Sequence, residues 1–600
     1  MTKIFTPFLL FIALACQVFA QSSQLPIHSR EEEIVERLQI LYGGNDDLHL
    51  SLKGFYRKDA VETALKADSL GVLSPLDKFD LRDIYRNNNE WTIGKKGNNR
   101  NSVTESVARI DTAASSPNAT FYSYEKEKTT TAGGSESNLY EEREKPVLGY
   151  FYKTPANLWE YDRKDFYVRL NPILNFSVGK DLQNKNLVIS NTRGFTLHGG
   201  LDERIYFHTE LLENQESYPK YLTEYVQKFN SVPQAGFYKS YTSRVSNKFQ
   251  GYDYFRATGY LGVHISKHVS VQLGHGPNFI GDGYRSLFLS DFAPNYLYLK
   301  LNTRFWKLHY QNIFAELGVN PANSSGDRLG DKKYFAAHYL SANLTKNISV
   351  GIFETVIFGR KNYFELQYLN PLIIYRAVEH SIGSPDNVML GANARWNFLN
   401  HFSVYSQFLL DEFVAKELFG SGRGWWGNKY GIQAGIKYFN AFGVEHLDLQ
   451  AEYNQVRPYT YTHGDSVGNF THNNLPLAHP LGANFKEFIF KVNYAPTAKI
   501  LFRAQVMNYK FGDDFSATDN NGGNITKTYE TRNADYGNFI GQGNLKNVTS
   551  VQADASYEFY QNYHLYLQVQ LRTDKLNTAD KTTYVGGGVR INFLPRMRDF

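Results

Sequence analysis

The sequence predicts a mainly β fold: a transmembrane antiparallel β-barrel of about 18 strands, preceded by a small α-helical domain. Tyr and Phe occur 43 times each among 600 residues, although the mean hydropathy is −0.44. Beyond the first 20 residues, no stretch reaches the roughly 20 apolar residues that a membrane helix needs. Strands that alternate between an aromatic or aliphatic face and a polar face account for both features.

From about residue 165 onward, apolar residues recur with a period of two. The runs are about ten residues long, which is the length of a tilted strand that crosses a membrane. Between residues 551 and 572 one predicted face is apolar and its opposite face is polar. The apolar members are Val551, Ala553, Ala555, Tyr557 and Phe559, followed by Leu565, Leu567, Val569 and Leu571.

The predicted connections fall into two length classes. Short turns are expected at 202–203, 266–267, 302–303, 345–346, 399–400, 496–497 and 561–562. Long polar stretches lie between them at 215–250, 277–292, 315–333, 358–384, 457–483 and 512–547. A soluble all-β protein has strands of about five or six residues and no such sorting of its turns. The alternation therefore favours a barrel with short periplasmic turns and long outer loops.

The first 20 residues have the pattern of a secretory signal peptide. Lys3 precedes an apolar run, and small or β-branched residues before Gln21 suit a signal peptidase. The only cysteine, Cys16, lies within this segment in a loose match to a lipoprotein box, so lipidation is the alternative. On the main interpretation the mature chain has no cysteine and needs no disulfide.

Residues 21–96 are predicted to form a helical domain in the periplasm. Ser29 precedes three glutamates, which is typical of a helix N-terminus, and Ser74 with Pro75 opens another helix. Residues 97–148 are rich in Asn, Ser, Thr, Gly and Glu, and are predicted to be a flexible linker or plug. The barrel is expected to occupy residues 149–600.

No motif in the sequence indicates catalysis. The HExxH, CxxC, P-loop and GxSxG patterns are absent, so we predict no enzyme activity, no metal and no cofactor. The net charge of +5 is small for this length and basic residues are not clustered, which argues against nucleic acid as a partner.

The stretch 274–291 combines glycines with polar and aromatic residues in a predicted outer or inward-folded loop. Its planar polar groups could hold sugar hydroxyls while its rings stack on a pyranose face. The candidate ligand-binding residues are His275, Asn278, Asp282, Arg285 and Asp291. The alternative is a structural loop that Arg285 anchors by pairing with Asp282 or Asp291.

A second stretch, 368–387, adds three candidate ligand-binding residues. They are Asn370, Arg376 and Glu379. Arg376 and Glu379 are expected to form an ion pair in the lumen or to line a solute path.

These two stretches resemble the Wzi-type capsule-assembly proteins, and more closely their Bacteroidetes relatives known as gliding motility protein RemB. The similar segments are 276–291 followed by Tyr296-Leu297-Tyr298-Leu299-Lys300, 366–371, 383–387 and 165–172. The resemblance covers residues 150–600. It implies a cell outer-membrane barrel that retains or organises surface polysaccharide or supports gliding, and it implies no reaction.

Two functions follow as hypotheses. The first is a non-enzymatic barrel for capsule assembly, attachment or gliding, with membrane lipid, surface polysaccharide and gliding or export machinery as partners. The second is a porin-like channel for small polar solutes, because a barrel of eighteen strands is wide enough for an aqueous lumen unless it is plugged.

Overall fold

The computed structural model describes residues 22–43, 45–92, 108–109, 123–124, 151–152, 154–163, 165–184, 186–202, 204–242, 250–320, 330–360, 363–372, 374–417, 422–576, 580–596 and 598–600. The predicted signal peptide and nearly all of the predicted linker at 97–148 lie outside the described residues.

Eighteen antiparallel strands close into one barrel, as the sequence predicted. Each strand pairs with its neighbours along the chain, and the last pairs with the first. The strands are β1 Phe166–Asp181, β2 Asn186–Leu201, β3 Ile205–Glu216, β4 Gln250–His264, β5 Val269–Gly276, β6 Tyr296–Phe305, β7 Leu308–Gly318, β8 Lys332–Asn343, β9 Ile348–Phe358, β10 Asn387–Phe398, β11 Phe402–Glu412, β12 Lys429–Tyr438, β13 Leu447–Val456, β14 Phe485–Thr497, β15 Ile500–Asp513, β16 Asn544–Tyr560, β17 Tyr563–Asp574 and β18 Lys581–Ile591.

Short two-stranded pairings accompany the wall. Trp159–Arg163 pairs with β1 and Lys239–Thr242 pairs with β4. Thr471–His472 pairs with Leu475–Pro476, and Ala108–Arg109 with Ser123–Tyr124. The wall itself therefore begins at Phe166, later than the predicted barrel boundary at residue 149.

Side chains alternate across the wall as the period-two pattern predicted. The apolar positions of β16 and β17 point outward and are exposed, including Tyr557, Leu567 and Leu571. The intervening positions point inward and are mostly polar, such as Ser556, Gln570 and Arg572, all of them buried. An apolar outer face and a polar inner face are what a barrel surrounded by lipid requires.

The connections sort into a short-turn end and a long-loop end. All six predicted long stretches are loops at one end of the barrel, and most predicted short turns lie at the other end. Two turn positions were wrong: residues 302–303 belong to β6, whose turn is Trp306-Lys307, and residues 496–497 belong to β14. The periodicity continues through these positions, so composition alone misplaced the turns.

Three helices precede the barrel: α1 Arg30–Leu41, α2 Arg57–Ser69 and α3 Pro75–Asn87. The predicted caps are present, since the Ser29 hydroxyl accepts from the Glu32 N–H, and Ser74 with Asp77 forms a reciprocal capping box. A short 3₁₀ turn follows at Asn89–Trp91. No helix among the described residues is long and apolar enough to cross a membrane.

These helices lie inside the short-turn end of the barrel. Their charged side chains bond inward-facing wall residues, with Glu33 and Arg503 2.8 Å apart and Asp59 and Arg304 2.9 Å apart. Glu36 pairs with Lys437, on another part of the wall. Because the partners lie on β6, β12 and β15, the helices are fastened around the circumference.

Candidate functional site: a closed lumen and an outer cap

The loop between β5 and β6, residues 277–295, folds into the lumen. Leu287, Phe288 and Leu289 are completely buried there, in one cluster with inward-facing wall side chains. On the side that faces the short-turn end, the loop contacts the helical domain. There the Gly281 N–H donates to the Ser51 carbonyl at 2.8 Å. The loop therefore joins the wall to the helices through the middle of the barrel.

Arg285 fixes the far side of this loop. Its guanidinium lies 3.3 Å from the Glu487 carboxylate on β14 and 3.2 Å from that of Asp599 near the C-terminus. Its own N–H donates to Glu452 on β13 at 3.0 Å. Burial alone would lower the pKa of Arg285, but Asp599 and Glu487 outweigh it and raise the pKa, so the group stays charged.

The sequence analysis expected Arg285 to pair with Asp282 or Asp291 as one alternative, and both pairings were wrong. Asp282 bonds Arg395 on β10 at 2.8 Å, and Asp291 lies 3.1 Å from the amide of Gln234. The stretch is nevertheless a structural loop that ion pairs anchor inside the lumen, as that alternative stated. Each anchor comes from a wall strand or loop remote in sequence, which composition could not identify.

Asn278 and Asp291 line a luminal cavity of about 120 Å³ between the loop, the wall and residues 24–27. Within the described residues, Asn278 Oδ1, Asp291 Oδ1 and Arg256 Nε are buried without a hydrogen-bond partner, and the Lys300 ammonium lies 5.0 Å from the centre of the Tyr298 ring. A polar cavity of this size holds several waters or a small polar ligand.

The C-terminal residues also enter the lumen. Beyond β18 the chain turns inward, and Phe600 packs between Tyr225 and Phe292 with ring centres 4.7 and 4.9 Å apart. Arg596 and Arg598 both pair with Glu216 of β3. Tyr225 belongs to α4, Lys220–Phe229, in the loop after β3, so this helix and the tail cover the lumen together.

The other predicted ligand residues lie outside the barrel. His275 is an exposed outward-facing residue of β5, and its Nδ1 is 3.1 Å from the Ala257 carbonyl. Asn370, Arg376 and Glu379 lie on the loop after β9, which packs against the outer surface of the wall. Arg376 and Glu379 do form the expected ion pair, at 2.7 Å, but the predicted luminal position was wrong.

At the long-loop end, three loops form a surface that we call the outer cap: residues 413–428, 457–484 and 514–543. Backbone hydrogen bonds join the first and third, from Trp426 N–H to the Asp535 carbonyl at 2.9 Å and from Gly537 N–H to the Arg423 carbonyl at 2.8 Å. Tyr529 N–H donates to His463 of the second loop at 3.2 Å. The cap is therefore one interlocked unit.

Aromatic and cationic side chains cluster on the outer cap. The Trp426 ring lies 4.8 Å from that of Tyr529 and 4.3 Å from the Arg532 guanidinium carbon. Trp425 packs beside it at 5.8 Å, and both tryptophans are half-buried. Rings beside guanidinium groups supply stacking faces and fixed hydrogen-bond donors, the chemistry that sugars and their acidic groups need.

Sequence reasoning missed this cluster, although a signal was present. Gly424-Trp425-Trp426-Gly427 places two of only six tryptophans side by side. The segment lies between the short turn predicted at 399–400 and the long stretch predicted at 457–483, and could have been recognised as a further loop. Its partnership with Tyr529 and Arg532, about a hundred residues later, was not readable without the fold.

No metal site accompanies these features. In the described part of the chain, no group of three or more His, Cys, Asp or Glu side chains is arranged to hold a metal ion.

Comparison with known proteins gave structural matches only. No protein-family model and no curated protein sequence matches the chain. Among solved structures, Wzi of Escherichia coli, described as a carbohydrate-binding β-barrel involved in group 1 capsule assembly, matches with a TM-score of 0.55 and 13% identity. That match covers 95% of this chain and 100% of Wzi.

Weaker matches include OprD of Pseudomonas aeruginosa and OccAB2 of Acinetobacter baumannii, both with a TM-score of 0.38. Their identities are 13% and 11%, over 70% and 71% of this chain and 94% and 97% of theirs. At these scores they carry no argument. The chain is therefore an eighteen-stranded barrel with the fold of the outer-membrane protein Wzi.

Proposed function

We propose that the protein is a non-enzymatic outer-membrane barrel that binds surface polysaccharide at its outer cap and takes part in capsule assembly or attachment. The observation that carries the proposal is the loop of residues 277–295, which crosses the lumen and bonds the opposite wall. A barrel closed by its own chain has its outer surface, rather than its interior, available for a polymer.

Two further features support this function. The fold is that of Wzi, whose description names carbohydrate binding and capsule assembly. The outer cap offers Trp425, Trp426 and Tyr529 beside Arg532, a combination suited to pyranose faces and acidic substituents. On this proposal the helical domain closes the periplasmic end, with α1 to α3 inside the barrel. Neither feature bears on gliding motility, so the proposal does not extend to it.

The test is binding of the host strain's purified surface polysaccharide to the detergent-folded protein, measured by biolayer interferometry. Trp425→Ala and Trp426→Ala should each weaken binding at least about fivefold, which corresponds to about 1 kcal/mol, the lower end of the range for planar groups stacked on aromatic side chains such as nucleobases. Trp306→Ala is the matched control, because Trp306 is an exposed tryptophan at the short-turn end. Binding unchanged by the cap variants would contradict the proposal.

The porin alternative is tested separately by conductance in a planar bilayer. The closed lumen predicts silence from the intact protein, whereas large steady current steps would favour a solute channel. Because conductance and glycan binding are independent measurements, each hypothesis can fail without the other.

A further inference from the structure

The loop between β9 and β10, residues 359–386, folds back over the outer surface of the wall; we call it the strap. Its described part contains a 3₁₀ turn at Leu366–Leu369 and helix α5, Tyr375–Ile382. Two of its own side chains, Tyr368 and Tyr375, are completely buried. They pack in one cluster with outward-facing wall residues, namely Phe314, Tyr334, Ala336, Val356, Phe358 and Val388.

The wall beneath the strap carries polar residues on its outward face. Beneath the strap that face presents Tyr310, His338 and Glu354 among the apolar residues of the cluster. The Tyr310 hydroxyl donates to the Pro371 carbonyl, and Glu354 accepts from the Arg376 N–H at 3.2 Å. His338 packs on Tyr375 with ring centres 4.0 Å apart. These polar side chains therefore hydrogen-bond the main chain of the strap or pack on its buried rings.

The strap satisfies further backbone groups locally. The Tyr368 N–H donates to the Glu365 carbonyl at 3.1 Å, and the Leu372 N–H to the Asn370 side chain at 3.0 Å. Irregular backbone survives at membrane depth only where protein groups satisfy it. The bonds from Tyr310 and Glu354 meet that requirement at Pro371, outside the helix, and at Arg376, in the first turn of α5, where a backbone N–H has no partner within the helix.

The strap also extends far down the wall. Tyr334 lies near the edge of the strap at the long-loop end, where it pairs with Phe358 at the end of β9. Tyr310, which bonds the strap farther towards the short-turn end, pairs with Leu340. Six residues separate Tyr334 from Leu340 along β8, which is about 20 Å of strand and, at a strand tilt of about 40°, about 15 Å of depth. The apolar band of such barrels is roughly 25 Å tall. The strap therefore lies at the depth of the hydrocarbon and not above it.

Its outer side exposes three large aliphatic side chains. Leu366, Leu372 and Ile374 are 71%, 84% and 61% exposed. They lie on the same outer surface as Ile352 and Leu390, which are exposed on the wall itself. Exposure of these three apolar side chains to water would be unfavourable, whereas in lipid they continue the apolar surface of the barrel.

We propose that the strap is embedded in the membrane, with Leu366, Leu372 and Ile374 in contact with lipid acyl chains. The inference rests on the membrane location in the proposed function and is independent of polysaccharide binding. The polar wall residues at Tyr310, His338 and Glu354 exist on this account to hold the strap, not to face lipid.

The experiment places one cysteine on the strap in a Cys16→Ser background, so that the label is unique. Leu372→Cys is labelled with an environment-sensitive fluorophore, and the full-length protein is reconstituted in phosphatidylcholine vesicles. Quenching by acyl-chain nitroxide lipid is compared with quenching by iodide. Leu390→Cys on the bare wall is the lipid control, and Phe539→Cys on the outer cap is the aqueous control.

The label at position 372 should be quenched by the nitroxide lipid as strongly as the label at 390, and iodide should have little effect. Iodide quenching comparable with that at 539 would overturn the proposal by placing the strap in water. Quenching by neither agent would overturn it as well, because protein would then cover the strap. Absence of lipid quenching at 390 itself would mean that the membrane location, and with it the proposed function, has failed.

A second pair of variants tests the role of the wall. Tyr310→Phe removes the hydroxyl that holds Pro371, so iodide quenching at 372 should rise at least twofold. Tyr557→Phe is the matched control, because Tyr557 is an outward-facing tyrosine away from the strap. Equal behaviour of the two variants would remove the assigned role of Tyr310.

Discussion

Arg285 and Glu487 form an ion pair across the barrel, with 3.3 Å between guanidinium and carboxylate. Arg285 belongs to the loop between β5 and β6 and Glu487 to β14, so the eight strands β6 to β13 lie between β5 and β14 in the wall. Both side chains are completely buried. One contact therefore links opposite sides of the lumen and, through Gly281 and Ser51, the helical domain.

Arg285→Met should destabilise the barrel strongly. The change leaves Glu487 and Asp599 buried without their cation, which typically costs about 3–5 kcal/mol. We expect a lower thermal unfolding midpoint in detergent and current steps in a planar bilayer. Lys220→Met is the control, since Lys220 and Glu224 are 41% and 56% exposed and such pairs contribute under about 1 kcal/mol. Equal midpoints for the two variants would show that the luminal contact is not important for stability.

Removal of the helical domain should open the barrel only in part. Without residues 22–92 the short-turn end loses α1 to α3, but the loop and the C-terminal tail still cross the lumen. We expect small, unsteady currents from this truncation and large steady steps when residues 279–290 are also replaced by a short Gly-Ser linker. Large steps from the first truncation alone would identify the helices as the sole barrier.

Acid should release the helical domain. Burial raises the pKa of Glu36, but the ammonium groups of Lys437 and Lys53 outweigh it and lower the pKa to about 2. Because the folded pKa lies below the ordinary value of 4.5, ionised Glu36 stabilises docking above pH 4.5, and this contribution is lost as the pH falls towards 2.

The measurement is protease sensitivity of residues 22–92 between pH 5 and pH 2, with an acid-active protease. Sensitivity should rise as the pH falls, and Glu36→Gln should already be sensitive at pH 5 with a shallower further change. Glu224→Gln, at an exposed pair with Lys220, should behave as wild type. A Glu36→Gln profile identical to wild type would argue against this carboxylate as the acid-sensitive group.

Deletion of the last five residues should leave barrel assembly intact. The final strand ends at Ile591, and Phe600 lies in the lumen instead of the sheet. A C-terminal phenylalanine often serves as a barrel-assembly signal, but here it packs with Tyr225 and Phe292. We expect the deletion to keep the heat-modifiable gel shift of a folded barrel while lowering its unfolding midpoint. Loss of the gel shift would instead assign an assembly role to this segment.

The strands, their outward faces and two of the helix starts were predictable because they depend on near neighbours in sequence. The faces of β16 and β17 follow from alternation alone, and the caps at Ser29 and Ser74 from residues three positions apart. The ligand-binding assignments remain predictions. Four of the eight residues, Asn278, Asp282, Arg285 and Asp291, do come together in the lumen, while the other four lie outside the wall.

What only the tertiary structure decided is the destination of each loop. The stretches 277–295 and 359–386 have similar mixtures of glycine, aromatic and charged residues, yet one fills the lumen and the other covers the outer wall. Their destinations depend on partners far along the chain: Glu487 and Asp599, 202 and 314 residues from Arg285, hold the first. Alternation specifies which side of a strand meets lipid, since that is a local property. The position of a loop depends on the burial of charges and backbone groups against remote strands, and no local pattern encodes it.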